Sequence, residues 1–325
     1  MGLTHFPHGI SSLGVPLLGT SGAKYAGWWG VQSWFVDYDH GNNGNSGKEP
    51  TAAVKDLQVA INGAGAGDVI YIRNRDQDVT STDPEYIIPA STTGWNIPEA
   101  LTHLSIIGAS NLSHIGTEAG KLGVYLSGST GTGDVMKWNA AFGLIENLAF
   151  RSGSSTSYLL YLYSGSTTLG AQGTVVNNCE FKKHTGTAAV YIQDTWYNTI
   201  HGCDFHDNMI GISAFGFLST IRRLRISNCI FRNQTLSENG QNIRIAGSNN
   251  QDITIDGCIF TNSTLTGGTN KYINIVDAAT GSIIRCYFPV DTAEGTTGIT
   301  DNGLSQMGNY QADHVDHESC YGTPI

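Results

Sequence analysis

The sequence is poor in charge, in proline and in long apolar runs, and each shortage excludes something. Charged residues make up only 14% of the 325 positions. A helical bundle, which needs Glu, Lys, Ala and Leu in long runs, does not fit that composition. No segment approaches the ~20 consecutive apolar residues that cross a bilayer as a helix, so no membrane partner is expected. Residues 1–34 lack the basic start and apolar centre of a signal peptide. No run of Lys or Arg occurs and the net charge is −10, so the basic footprint of a nucleic-acid binder is missing. The six cysteines contain no Cys-x-x-Cys pair, which removes the common zinc and redox motifs. Free thiols in a reducing compartment are therefore expected. A phosphate-binding loop and a Ser-His-Asp elbow are also lacking, and no cofactor is expected.

Glycine is abundant, at 41 residues, together with Asn, Ser and Thr. That mixture suits many short strands joined by turns in which Gly and Asn accept positive φ. One phrase then recurs. It reads Ile145-Glu-Asn147-Leu148-Ala-Phe150, Val176-Asn-Asn178-Cys179-Glu-Phe181, Ile200-His-Gly202-Cys203-Asp-Phe205, Ile226-Ser-Asn228-Cys229-Ile-Phe231, Ile255-Asp-Gly257-Cys258-Ile-Phe260 and Ile284-Arg285-Cys286-Tyr-Phe288. Ile106-Ile-Gly108-Ala109 is a weaker earlier copy. The cysteines are 24, 26, 29 and 28 residues apart, about one coil of a β-solenoid with loops of varying length.

In a strand, residues two apart share a face, so Cys229 and Phe231 both point inward and Ile230 points outward. Ile226 lies three before Cys229, so the alternation must break between them. The residue before each inward cysteine is Asn178, Gly202, Asn228 or Gly257, and Asn147 precedes Leu148 in the same way. These are the types that enter the left-handed region cheaply. Arg285 departs from this pattern, and Ile284 is only two before Cys286, so the last coil is expected to turn differently. Stacked coils would align Cys179, Cys203, Cys229, Cys258 and Cys286 in one internal ladder, and Phe181, Phe205, Phe231, Phe260 and Phe288 in another. The plain reading of these thiols is small buried hydrophobes.

The chain divides into an extended arm at residues 1–34, a solenoid at 35–300 and a polar tail at 301–325. The arm carries Phe6, Pro7, Leu17, Leu18, Trp28, Trp29 and Trp34, too apolar for a free disordered segment, and is expected to dock as an anchor on its own helix, a sister subunit or another protein. From Pro50 to Asn62 the period of Ala53, Leu57, Ala60 and Ile61 predicts a short amphipathic helix that caps the first coil.

The stretch Phe35-Val-Asp37 … Asn45-Ser-Gly47 … Pro50 … Ala53 … Leu57 … Ala60-Ile61 … Gly67-Asp68-Val69-Ile70 resembles the opening of pectate-lyase-like right-handed β-helix proteins. With the coils after it, the resemblance covers roughly residues 35–300 and implies an all-β right-handed parallel β-helix. That fold hosts polysaccharide lyases and hydrolases, phage tailspikes, adhesins and inert structural proteins. The leader from Gly2 to Gly19 is similar to that of structural proteins of tailed phages. It implies a component of the virion, on the head, and leaves decoration, fibre and spike open; a place on the capsid surface is the expectation taken from it.

Candidate chemistry is sparse. Glu180 and Asp204 share the outward position of adjacent coils, and would lie about 5 Å apart, near the spacing of a retaining glycosidase pair. The same position then holds Ile230, Ile259 and Tyr287, which reads as a contact stripe between subunits. Asp252, Asp256, Arg223 and Arg225 could share a face as a Ca²⁺-dependent lyase site, or be the solvated side of a strand. Asp37-Tyr-Asp39-His-Gly41-Asn-Asn43-Gly-Asn45 faintly resembles a Ca²⁺ loop but lacks its bidentate Glu. His314 and His317, among Asp313, Asp316 and Glu318, could bind a metal where copies converge, or be a polar tail. The expectation is a non-enzymatic, self-associating phage virion protein, a homotrimer decorating the capsid and contacting the major capsid protein. The alternative is a tailspike-like protein that binds or cleaves a host glycan.

Overall fold

The structure, a computed structural model, describes residues 32–74, 85–87, 94–109, 124–128, 133–151, 158–164, 170–217, 220–232, 240–248, 250–261, 271–289 and 298–311. Backbone alone is described for Ile10–Ser12, Val15–Leu18 and Thr323–Pro324, and for Glu85, Ile87 and Gln311.

The chain winds into a right-handed parallel β-helix with three strands per coil. One ten-stranded sheet runs from Ser33–Val36 to Ser305–Met307. The second sheet runs from Glu85–Ile87 to Tyr310–Gln311 and ends on Thr323–Pro324, which pairs antiparallel. The third has eight strands, from Trp95–Ile97 to Ile299–Thr300. The coils thus carry on past residue 300.

The recurring phrase is the corner between the first and second sheets. Ile200, Ile226, Ile255 and Ile283 stack on the inner face of the first sheet. One residue then takes positive φ: Asn147 at 55°, Asn178 at 50°, Gly202 at 61°, Asn228 at 53° and Gly257 at 63°. That residue turns the chain and resets the alternation, so the next side chain also points inward. Phe150, Phe181, Phe205, Phe231, Phe260 and Phe288 follow as a column of rings 4.8–5.0 Å apart and within 10° of parallel.

The last coil needs two corrections. The partner of Ile255 is Ile283, not Ile284, so the true phrase is Ile283-Ile-Arg285-Cys286-Tyr-Phe288 and its spacing is regular. Arg285 also adopts φ 52° and turns as the Asn and Gly corners do. Its guanidinium forms a bidentate pair with Asp256 one coil below, at 2.6–2.9 Å. A further copy of the corner follows at Gly308, with φ 60°.

All five ladder cysteines are buried free thiols. Each Sγ lies near two carbonyls at the corner. Cys229, for example, donates to Ser227 at 3.4 Å in its own coil and to Ile200 at 3.7 Å in the coil before. Cysteine fits here as a small hydrophobe that can still hydrogen-bond. Burial pushes the thiols of Cys203 and Cys229 well above the ordinary value. At the end of the ladder Asn309 takes the cysteine's place. Its amide donates to Ile283 O at 3.2 Å and accepts from Cys286 N at 3.0 Å, a polar stop to the stack.

The expected capping helix closes the N-terminal end, but it is shorter than the period implied. Pro50–Ala52 is a 3₁₀ turn and the α-helix is only Leu57–Gly63. Between them Val54 is extended and bridges Val36. Its N–H donates to Phe35 O at 3.0 Å and its carbonyl accepts from Asp37 N at 2.9 Å, so the edge of the first strand is satisfied within the chain. Leu57, Ala60 and Ile61 plug the first coil.

Because Gly202 and Gly257 hold the same corner without a side chain, Asn228→Gly is expected to change the urea midpoint little. Asn228→Val should cost about 1–2 kcal/mol or more, since a β-branched residue cannot hold that φ without strain. Phe205→Ala should cost about 3–5 kcal/mol by opening the middle of the ring column.

Candidate functional site on the outer faces of the sheets

The outward column of the second sheet reads Tyr125, Ala149, Glu180, Asp204, Ile230, Ile259, Tyr287, Tyr310, each paired in register with the next. Glu180 and Asp204 are therefore brought side by side, as their spacing requires. Both are buried. His206, one coil above Lys182 in the neighbouring outward column, places Nε2 2.7 Å from Glu180 Oε1 and Nδ1 3.3 Å from Asp207. Arg232 grips Asp204 with Nε at 3.1 Å and Nη2 at 2.5 Å. Burial raises the Asp204 carboxyl above the ordinary carboxylate value, against the pull of Arg232. Burial lowers His206, but its bond to Glu180 and the charges of Glu180 and Asp204 outweigh that and raise it. A retaining pair needs one carboxylate free to attack and one acid free to give its proton. Here the Arg232 guanidinium holds Asp204 and the His206 imidazole meets one oxygen of Glu180, an ion pair whenever His206 is protonated, and these contacts link three coils.

Above these contacts the column becomes apolar and exposed. Ile230 is half-buried, while Ile259, Tyr287 and Tyr310 are 41%, 40% and 47% exposed. The stripe expected from Ile230, Ile259 and Tyr287 is present and is one residue longer. Tyr310 was legible as the position between Asn309 and Gln311, two after a bend glycine, had the final copy of the phrase been recognised.

The remaining candidates are used locally. Asp256 is held by Arg285, with Arg225 3.8 Å away, and Asp252 meets Arg223 at 3.6 Å on the exposed surface. In the loop after the first strand, Asp37 Oδ1 accepts from the N–H groups of Asp39 and His40, and Oδ2 pairs with Arg73 at 2.7 Å. Asn43 Oδ1 accepts from Lys55 and Asp56. That is turn chemistry, not an oxygen cage turned toward an ion. Trp34 corrects its grouping with the arm. It is buried against the cap, its Nε1 donates to Asp68 at 3.1 Å, and a Cβ on Gly63 would lie 2.2 Å from its ring. It is core and cannot dock elsewhere. The side chains of Phe6, Pro7, Leu17, Leu18, Trp28 and Trp29, and all of His314 and His317, lie outside the described residues.

Sequence reasoning passed over a tyrosine group on the outer face of the third sheet. Tyr158 stacks on Tyr191 at 4.3 Å, and Tyr161 packs against Tyr191 and Tyr163. Lys137 lies 4.3 Å over the Tyr163 ring, and the Tyr161 hydroxyl donates to Gln193. Asp134 sits beside them, and burial pushes its carboxyl up to about 6. The alternating tyrosines of Tyr161-Leu-Tyr163 were the available signal.

No family model and no curated protein matches the chain. Among solved structures, a pectin methylesterase from Aspergillus niger is similar, with 11% identity, 92% of each chain covered and a TM-score of 0.51. The pectate lyase Pel9A has 12% identity over 88% of this chain and 78% of that one, with a TM-score of 0.46. A Geobacillus virus E2 protein, ORF18, has 13% identity over 78% of this chain and 56% of that one, with a TM-score of 0.42. What the chain shares with the first of these is the parallel β-helix fold.

Two pH effects follow. A His206 pKa raised on folding gives stability that is full below its unfolded value of about 6.5 and is lost as pH rises through the folded value. Urea unfolding should therefore show a loss above pH 6.5 that His206→Ala abolishes. Asp134, raised from 3.8 to about 6, likewise favours folding below pH 3.8 and loses that contribution by pH 6. Asp134→Asn should add about 1–2 kcal/mol at pH 7, less than a fully buried carboxyl would give, and nothing at pH 3.5.

Proposed function

We propose that this chain is a non-enzymatic structural protein of a tailed-phage particle, self-associating and mounted on the capsid exterior. The observation that carries the reading is the exposed row of Ile259, Tyr287 and Tyr310 at successive outward positions of the second sheet. Aligned large apolar side chains on a rigid face suit contact with a like face, and closed association about one axis, as in a trimer, hides all copies at once. The engagement of Glu180, Asp204 and Asp256 with His206, Arg232 and Arg285 supports a structural role over hydrolysis or elimination. The phage assignment, the capsid location and contact with a major capsid protein rest on the leader's resemblance, with the apolar arm as the attachment segment.

The tyrosine group of the third sheet favours a second reading, glycan binding without turnover. Half-buried rings flanked by Lys137 and Gln193 offer both a stacking surface and hydrogen bonds to hydroxyls.

Sedimentation velocity separates the two. The wild-type chain is expected to associate at about 10 μM, where micromolar contacts are populated. Ile259→Asp together with Tyr287→Asp should return it to monomer without loss of its circular dichroism. A wild-type monomer that binds oligosaccharide through Tyr191 would overturn the first reading in favour of the second.

A further inference from the structure

Where the third sheet passes into the first, successive coils turn on a second left-handed residue. These are His103 at 62°, Phe142 at 57°, Gly173 at 68°, Tyr197 at 63°, Arg223 at 51° and Asp252 at 55°. They stack in register: the N–H of Phe142 donates to Gln172 O, that of Gly173 to Trp196 O and that of Tyr197 to Arg222 O, at 2.7–2.8 Å. The corner between the first and second sheets is made mostly with Asn and Gly, which enter this region cheaply, and Gly173 shows that glycine serves here too. Phe and Tyr are bulky residues for which positive φ is strained. Strain of that kind is kept where the side chain is needed for more than the turn. The core does not need these two, since Phe142 is 47% and Tyr197 49% exposed.

The ridge they form has an ordered surface. Phe142 stacks on His103 at 5.1 Å, and its ring lies so close over Gly173 that a Cβ there would come within 2.5 Å of it. Two coils from Phe142, Tyr197 stands next to the half-buried Trp196. The Arg223 guanidinium lies 5.2 Å from the Tyr197 ring centre and that of Arg222 5.4 Å from the Trp196 ring centre. Arg223 also meets the exposed carboxylate of Asp252 at 3.6 Å.

This set of groups matches a sugar chain. The C–H faces of sugar rings stack on aromatic rings, while a guanidinium donates to ring hydroxyls and a carboxylate accepts from them. Phe142 and Tyr197 are two interstrand distances apart, about 9.6 Å, close to the spacing of alternate rings in an extended chain of β-linked hexoses. The net charge of −10 opposes a polyanion and favours a neutral chain.

We propose that this ridge binds a neutral polysaccharide laid along the helix axis, with sugar rings on Phe142 and Tyr197 and hydroxyls on the Arg223–Asp252 pair. Its residues are distinct from the third-sheet tyrosines, and the inference stands whether or not copies associate through Ile259, Tyr287 and Tyr310.

Isothermal titration of the full-length protein with cellohexaose and with β-linked mannohexaose tests it. At least one is expected to bind with a Kd below about 1 mM. Tyr197→Gly should weaken that binding at least about tenfold. It should leave Tm unchanged or higher, because glycine holds the turn without strain. Arg223→Gln, at the exposed surface, should also weaken binding at unchanged Tm, and unchanged affinity in both variants would overturn the proposal. A lower Tm with binding intact in Tyr197→Gly would make that ring a brace and overturn it as well. So would no binding of either neutral chain, or tighter binding of hexagalacturonate or oligothymidylate, which would assign the ridge to a polyanion. Binding lost in Tyr191→Ala but kept in Tyr197→Gly would place the sugar on the third sheet instead. Sedimentation of the unliganded protein reads the association of copies separately from all of these.

Discussion

One residue per coil with a left-handed backbone, between the first-sheet isoleucine and the second-sheet cysteine, governs the cross-section of this molecule. A regular strand cannot send both Ile226 and Cys229 inward, because they are three apart. Asn228 at φ 53° makes it so, and its counterparts repeat the turn in register from Asn147 to Gly308. The phenylalanine column depends on that register. A one-residue slip at any corner would move Phe205 to the outer face and Asp204 into the core.

The same geometry fixes what each face can do. Inside, the stack takes thiols, isoleucines and parallel rings, and ends on Asn309, whose amide replaces a thiol at the last corner. Outside, neighbours along a column are only one interstrand distance apart, so charges at equivalent positions in adjacent coils interact strongly. The chain answers with clamps that run along the axis: Glu180 to His206, Asp204 to Arg232, Asp256 to Arg285. Carboxylates that resemble catalytic pairs in the sequence thereby bridge neighbouring coils.

The coil, its corner and both inward ladders were legible because the phrase repeats with Asn or Gly at one fixed place. Two parts were not. Arg285 hides a corner, since arginine is not a type that marks positive φ, and its partner Asp256 lies 29 residues away in the preceding coil, where no local pattern reveals it. Likewise Val54 interrupts the helical period read from Ala53 to Ile61, because the edge of the first strand needs its backbone groups more than the helix needs another turn. Of the site, the pairing of Glu180 with Asp204 and the stripe above it followed from alternation alone. Their partners did not, because His206 and Arg232 lie on an adjacent column, reached only once coils are stacked. Trp34 was misplaced for a similar reason: its partners Asp68 and Gly63 come from the cap and the next strand.

The proposed association of copies rests on the exposure of Ile259, Tyr287 and Tyr310 in one outward column. Cryo-EM of the purified full-length protein tests this most directly. The account predicts closed oligomers in which Ile259, Tyr287 and Tyr310 of each copy are covered by a neighbouring copy. Single particles with that stripe bare, or oligomers joined through another face, would contradict it.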